Sequence, residues 1–103
     1  MGLPEITPEQ RREALAKAAE ARRLRAEIKE LLKTGSLSIT EVFDQAEEND
    51  YVANMKVGSL LPSLPGMGKI KAKRFMEEHG IADNRRIRGL GSRQRAAILD
   101  QFA

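Results

Sequence analysis

The residues with the clearest chemical potential are six in a row, Leu64-Pro65-Gly66-Met67-Gly68-Lys69. Two glycines frame one apolar residue, and a basic amphipathic segment follows. Without a Cβ, Gly66 and Gly68 let the backbone turn sharply and let a ligand come close. A helix that begins here has first amides without intrahelical acceptors. They sit at the positive end of the helix dipole, which makes an anion site. Lys69, Lys71, Lys73 and Arg74 add formal charge, and Met67 is the apolar residue between the glycines. The chemistry this suggests is phosphate binding. The plainer alternative is a tight glycine turn between two helices. Ile70, Ala72, Phe75 and Met76 fall on or near one face of the following helix. It should stop at His79, with Gly80 in the left-handed position and Ile81 packed back on the last turn, as in a Schellman end.

Two other glycine-loop chemistries are excluded. A Walker A loop needs a glycine where Ser63 stands and Ser or Thr where Ile70 follows the lysine. A dinucleotide fingerprint needs a third glycine near Ile70 or Lys71 and a strand in front. Leu64-Pro65-Gly66-Met67-Gly68, with Ala72 and Phe75 beyond, instead resembles the helix-hairpin-helix pattern. That pattern implies a grip on nucleic-acid backbone without base reading. Its wider form, helix-two turns-helix, adds a loop and a second helix, which residues 82–102 can supply.

The loop after Ile81 reads Asn84-Arg85-Arg86-Ile87-Arg88-Gly89-Leu90-Gly91. Arginine holds phosphate bidentately and enters narrow minor grooves. Arg85, Arg86 and Arg88 cannot all be buried, and no acidic run lies beside them to pair with. They are either scattered surface charges or duplex contacts. Gly91-Ser92-Arg93, another helix start, is a candidate second phosphate site.

These residues must be positioned by helices. Thr7-Pro8-Glu9-Gln10 is a helix start, with Thr7 as N-cap, Pro8 at the first position and Gln10 closing a capping box. The helix runs to Lys33 or Thr34, with Gly35 after it, and residues 1–6 before it read as irregular. Its second half is amphipathic, with Leu24, Ile28, Leu31 and Leu32 on one face and Arg22, Arg25, Lys29 and Lys33 along the opposite one. That basic stripe is either ordinary solvent face or an extra DNA-backbone contact. The first half offers mainly Ala14, Leu15, Ala18, Ala19 and Ala21, too small a payload for a buried helix, and should protrude or dock late. Ser38 and Glu41 form a second capping box, with Leu37 stapled to Val42. Ile39, Val42, Phe43 and Ala46 then make a buried face ending near Asn49-Asp50. A short helix over Tyr51–Met55, capped by Asn49 or Asp50, and a joint at Lys56 lead to the first hairpin helix. That helix carries Val57, Leu60, Leu61 and Leu64. Pro62 within it removes a donor and clashes with the preceding turn, so the helix is either very short or kinked at Gly58-Ser59. Ser92 caps the last helix, which turns Ala96, Leu99 and Phe102 inward, assisted by Ile98.

No alternating strand pattern and no internal repeat interrupts these helices. The fold class is all-α: a protruding N-terminal helix over 1–34 and a compact multi-helix helix-two turns-helix core over 35–103, together a single domain. At 103 residues with four aromatics, the core is built of Leu, Ile, Val, Ala and Met. The absence of Cys excludes disulfides and thiolate metal sites and fits a reducing cytoplasm. No apolar run approaches a membrane span, and neither a signal peptide nor a myristoylation start is present. Net charge is only +3, but residues 66–95 hold nine Lys or Arg against three acids, while residues 40–50 hold five acids and no base. One end attracts polyanions and the other repels them.

The segments Arg22-Arg23-Leu24-Arg25-Ala26-Glu27, Met55-Lys56-Val57, Leu64–Lys69 and Arg85–Gly91 together resemble the actinobacterial integration host factor family over nearly the whole chain. The resemblance implies a small nucleoid-associated protein that binds double-stranded DNA largely without sequence preference. It implies bending or constraining of DNA, and assistance to site-specific recombination and chromosome organisation. The expected setting is the cytoplasmic nucleoid. The expected partners are duplex DNA and a site-specific recombinase, with a monomer in solution and no cofactor or metal. The family's hairpin maps to Gly66, Gly68 and Lys69 and its basic loop to Arg85, Arg86 and Arg88. Pro62 departs from the family, which usually continues the helix there.

The competing reading is a small-subunit ribosomal RNA-binding protein with the same core. It sits poorly with the acidic 40–50 segment and with the lack of a strongly basic extension. Glycosylase chemistry on this core uses an N-terminal proline and a four-cysteine zinc finger, and the sequence has Gly2 and no Cys. His79, the lone histidine, reads as a surface residue at a helix C-terminus, so no enzyme is expected.

Overall fold

The computed structural model describes residues 6–102. Most of the segment expected to be irregular, residues 1–5, lies outside that range, and Ile6 and Thr7 carry no regular structure. Six helices follow in order: α1 Pro8–Thr34, α2 Ile39–Glu48, α3 Asp50–Ala53, α4 Val57–Leu60, α5 Gly68–Glu78 and α6 Ser92–Phe102. Two 3-10 turns, Leu61–Ser63 and Ile87–Gly89, are inserted between them. Among the described residues there is no strand, and the expected all-α class with a long first helix holds.

Local chemistry explains the helix ends. Thr7 accepts from the Gln10 amide while Gln10 returns a bond to the Thr7 amide. Ser38 and Glu41 repeat the device at α2. Gly35 closes α1 at φ 79°, where a side chain would be strained. At the end of α5, Gly80 lies at φ 65°, its amide bonds to the Glu77 carbonyl, and the Ile81 amide bonds to the Met76 carbonyl at 2.8 Å. That is the Schellman pattern, and Ile81 is buried as expected. Asn49 caps α3 by accepting from the Tyr51 and Val52 amides.

Pro62 is resolved by shortening. α4 has four residues and passes into the 3-10 turn Leu61–Ser63, where Pro62 stands near the start and its missing amide is not required. α4 runs through Gly58 and Ser59 as helix. A Cβ at Gly58 would lie 3.1 Å from the Asp83 carbonyl oxygen, so Gly58 allows α4 to approach the segment after α5. Val57, Leu60, Leu61 and Leu64 are all buried, at the centre of the core.

Three helix faces and one helix start depart from expectation. Leu31 is exposed, because α1 docks through the narrow i, i+4 stripe of Leu24, Ile28 and Leu32. Ile70 is 74% exposed rather than packed beside Ala72, Phe75 and Met76. At 100° per residue it points about 140° from Phe75 and 160° from Ala72. In α6 the anchor is Ile98, fully buried, with Ala97, Leu99 and Phe102 half-buried and Ala96 exposed. Ser92 is the first residue of α6 and not its cap; the Gly91 carbonyl accepts the first bond, from the Arg95 amide. The first half of α1 contributes nothing to the core, and Leu15 there is 63% exposed. A 27-residue helix is about 40 Å long, which accounts for most of the 47 Å long axis of the molecule.

Candidate nucleic-acid interface

The hairpin is a turn between the Leu61–Ser63 segment and α5. Leu64 is buried, and its carbonyl accepts from the Met67 amide at 3.1 Å. Gly66 and Gly68 lie at φ 75° and 68°. Nothing stands within 4 Å of a Cβ at either, so it is backbone conformation and not crowding that selects glycine. Met67 is half-buried against the core and fixes the turn from below. No side chain caps the N-terminus of α5. Its first amides are therefore free to meet an anion.

The four cations of α5 divide. Lys69 and Lys73 line a groove between α5, α4 and α1. Lys71 and Arg74 lie on the other flank, near Phe75 and Phe102. Lys71 also reaches back toward the Gly66 carbonyl at 3.4 Å, bracing the turn. His79 lies on that flank, its ring 4.3 Å from that of Phe75.

The three loop arginines diverge. Arg85 is half-buried and donates to the Gly89 carbonyl at 2.9 Å, closing the loop on itself. Arg86 is exposed and faces α1 across a small groove that includes Arg25. Arg88 meets Asp50 at 3.5 Å. The expectation that no acids stand beside the loop is thus corrected. α3 packs against the 3-10 turn Ile87–Gly89 and carries the end of the acidic segment to Arg88. Arg93 is exposed on α6. The Gly91 amide of the expected second site is already occupied by the Gln94 side-chain oxygen at 3.0 Å, while the Gln94 amide nitrogen donates to Gly80. That ties α6 to the end of α5 and leaves one fewer donor for an anion.

The loop is anchored by two backbone bonds. The Val57 amide donates to the Arg85 carbonyl at 2.8 Å and the Ile87 amide to the Met55 carbonyl at 3.0 Å, an isolated antiparallel bridge centred on Lys56 and Arg86. Met55 and Val57 are buried on either side of exposed Lys56, and Ile87 is buried beside exposed Arg86. Sequence reading treated Lys56 as a joint. The signal is the apolar–polar–apolar alternation of Met55-Lys56-Val57, a period of two inside a helical chain. The stripe on α1 was also misplaced. Lys29 and Lys33 follow buried Ile28 and Leu32 by one residue, so they flank the docked face at about 100° and do not oppose it. Lys29, Lys33, Pro62 and the hairpin line one groove. Arg23 is engaged within α1 at 2.7 Å from Glu20, and that hydrogen bond, with the charges of Glu20 and Glu27, raises its pKa.

Residues 32–102 match the family described as the S13-like H2TH domain. The chain is 55% identical over 102 residues to the integration host factor of Streptomyces coelicolor, covering 99% of this chain and 95% of that protein. It is 52% identical over 102 residues to the integration host factor of Mycobacterium tuberculosis, covering 99% and 97%. A solved structure of sIHF bound to an 8-bp palindromic DNA superposes with a TM-score of 0.80 at 52% identity, covering 85% of this chain and 99% of that one.

Proposed function

The chain belongs to the integration host factor family of actinobacteria, and from that premise we propose that it is a nucleoid-associated protein binding duplex DNA through the phosphate backbone. The observation that carries this reading is the uncapped N-terminus of α5 behind the left-handed glycines Gly66 and Gly68, with lysines on both flanks. The relative caught on DNA, sIHF, shares 52% identity with this chain. In this reading the amides of Gly68 and Lys69 hold one phosphate. Lys69, Lys71, Lys73 and Arg74 add charge around it, Met67 sets the turn, and Arg86, Arg88 and Arg93 meet phosphates further along. Arg85 holds the loop in shape through its bond to the Gly89 carbonyl and offers its other nitrogens to the phosphate backbone. Nothing in it calls for a base-reading helix or a catalytic group. Bending or constraint of DNA, support of a site-specific recombinase and residence in the nucleoid follow as its working context.

The test is fluorescence anisotropy of a ~30-bp duplex as salt rises, because counterion release gives backbone binding a steep salt dependence. Folded ribosomal RNA serves as competitor, since the H2TH description is S13-like. Steep salt dependence with no preference for RNA is the expected result. Preferential displacement by RNA would move the protein to the ribosomal reading.

A further inference from the structure

We infer that the inner flank of α1 is part of the DNA interface, joined to the hairpin by a continuous phosphate track whose centre is Lys56. The inference rests on the duplex-binding reading above and goes beyond it by adding Lys56, Lys29 and Arg25 to the contact set.

Three observations carry it. First, Lys56 and Arg86 are directly opposite in an antiparallel bridge whose bonds run between their neighbours, Val57 to Arg85 and Ile87 to Met55. This is the pairing type with the closer side chains. Like charges placed so are unfavourable, and both residues are exposed. A phosphate between them turns repulsion into shared attraction. Second, Lys56 lines two adjoining grooves. One holds Arg25 and Arg86; the other holds Lys29, Lys69 and Lys73 and runs beneath the hairpin helix. Six cations thus line the two grooves against one acid, Asp83. Third, none of the six is in an ion pair among the described residues, whereas Arg23, Arg88 and Arg95 each are. A surface of unpaired cations on three elements, with Ser59 and Ser63 in the same groove, fits a phosphodiester backbone crossing from the hairpin to α1. It gives the long helix a binding role along the part that is docked, residues 25–33, rather than along its protruding half.

The experiment is the duplex titration against salt with the double variant Lys29→Gln/Lys56→Gln, beside the control Arg11→Gln/Arg12→Gln. The control removes the same charge from exposed positions about 26 Å from Lys29 along α1. Glutamine keeps the side-chain stems, and an unchanged melting temperature verifies the fold. Each lost phosphate contact lowers the slope of log affinity against log salt by about 0.9. The groove variant should lose about 1.8, and the control much less. An unchanged slope in the groove variant, while the parent binds with a steep one, overturns the track and leaves the hairpin reading standing. Equal losses in both variants also overturn it, because bulk charge then explains the effect. A parent protein without salt-dependent duplex binding overturns the hairpin reading and the track together.

Discussion

Gly68, at φ 68° on the first residue of α5, is where conformation and chemistry meet. Left-handed backbone costs a residue with a Cβ about 1–2 kcal/mol, and no contact would offset that, since nothing lies within 4 Å of the Cβ site. Gly68→Ala should therefore lower the melting temperature by roughly 4–8 °C per kcal/mol in a chain this size. On the phosphate reading it should also weaken duplex binding by more than Gly80→Ala, which carries a comparable strain at φ 65° beyond the opposite end of α5. Calorimetry with anisotropy on the two variants checks both statements. Ile70 supplies a contrasting case. Its 74% exposure means that Ile70→Ser should leave the melting temperature nearly unchanged. Leu61→Ala, at a fully buried position, should cost about 2–5 kcal/mol. The hairpin glycines were legible because their role is local. Ile70 is less legible, because apolar character near a helix start does not define a face; its angle of about 140° from Phe75 does.

At the scale of elements, two equivalent capping boxes should behave differently. Loss of an N-cap costs about 1 kcal/mol when the helix end is coupled to the folded core. Ser38 starts α2, whose first turns bury Ile39, Val42 and Phe43. Thr7 starts a stretch of α1 that is exposed and buries no side chain among the described residues. Ser38→Ala should lower global stability in denaturant unfolding, while Thr7→Ala should only fray the first turns and raise hydrogen exchange there. Every one of these helix ends could be read from sequence: Thr7 with Gln10, Ser38 with Glu41, Gly80 with Ile81. Each is settled within six residues of chain. What could not be read was how elements meet. The Lys56–Arg86 bridge joins residues thirty apart. The placement of Lys29 depends on the narrow stripe by which α1 docks. The break after Leu60 was legible as a problem posed by Pro62, and its solution is a four-residue helix running into a 3-10 turn; the close approach of Asp83 to Gly58, between segments far apart in the chain, was not.

At the scale of the whole molecule, charge is sorted into faces, and the acidic face reaches the edge of the basic one. α2 and the start of α3 carry Glu41, Asp44, Glu47, Glu48 and Asp50. Glu47 stands 3.9 Å from Arg95, whose guanidinium also covers the Phe43 ring at 5.0 Å, and Asp50 stands 3.5 Å from Arg88. Arg95 is thereby committed to the fold. Arg88 is only borrowed. Its carboxylate partner is 95% exposed, and an exposed pair of this kind contributes at most about 1 kcal/mol. A DNA phosphate offers the same guanidinium a bidentate partner within a polyanion. On the duplex-binding reading Asp50 would therefore compete with DNA for Arg88 and also repel the backbone that displaces it. Asp50→Asn removes both effects while Asn49 continues to cap α3. The variant should melt close to the parent, bind duplex more tightly at low salt, and show a slope against log salt steeper by up to about 0.9, one further phosphate neutralised. Glu48→Gln removes the same charge from an exposed site that forms no ion pair among the described residues. Equal gains in the two variants would mean that net charge alone is sensed. A gain confined to Asp50→Asn would place Arg88 on the duplex and identify the acidic end of α2 and α3 as the boundary that keeps DNA on one side of the molecule.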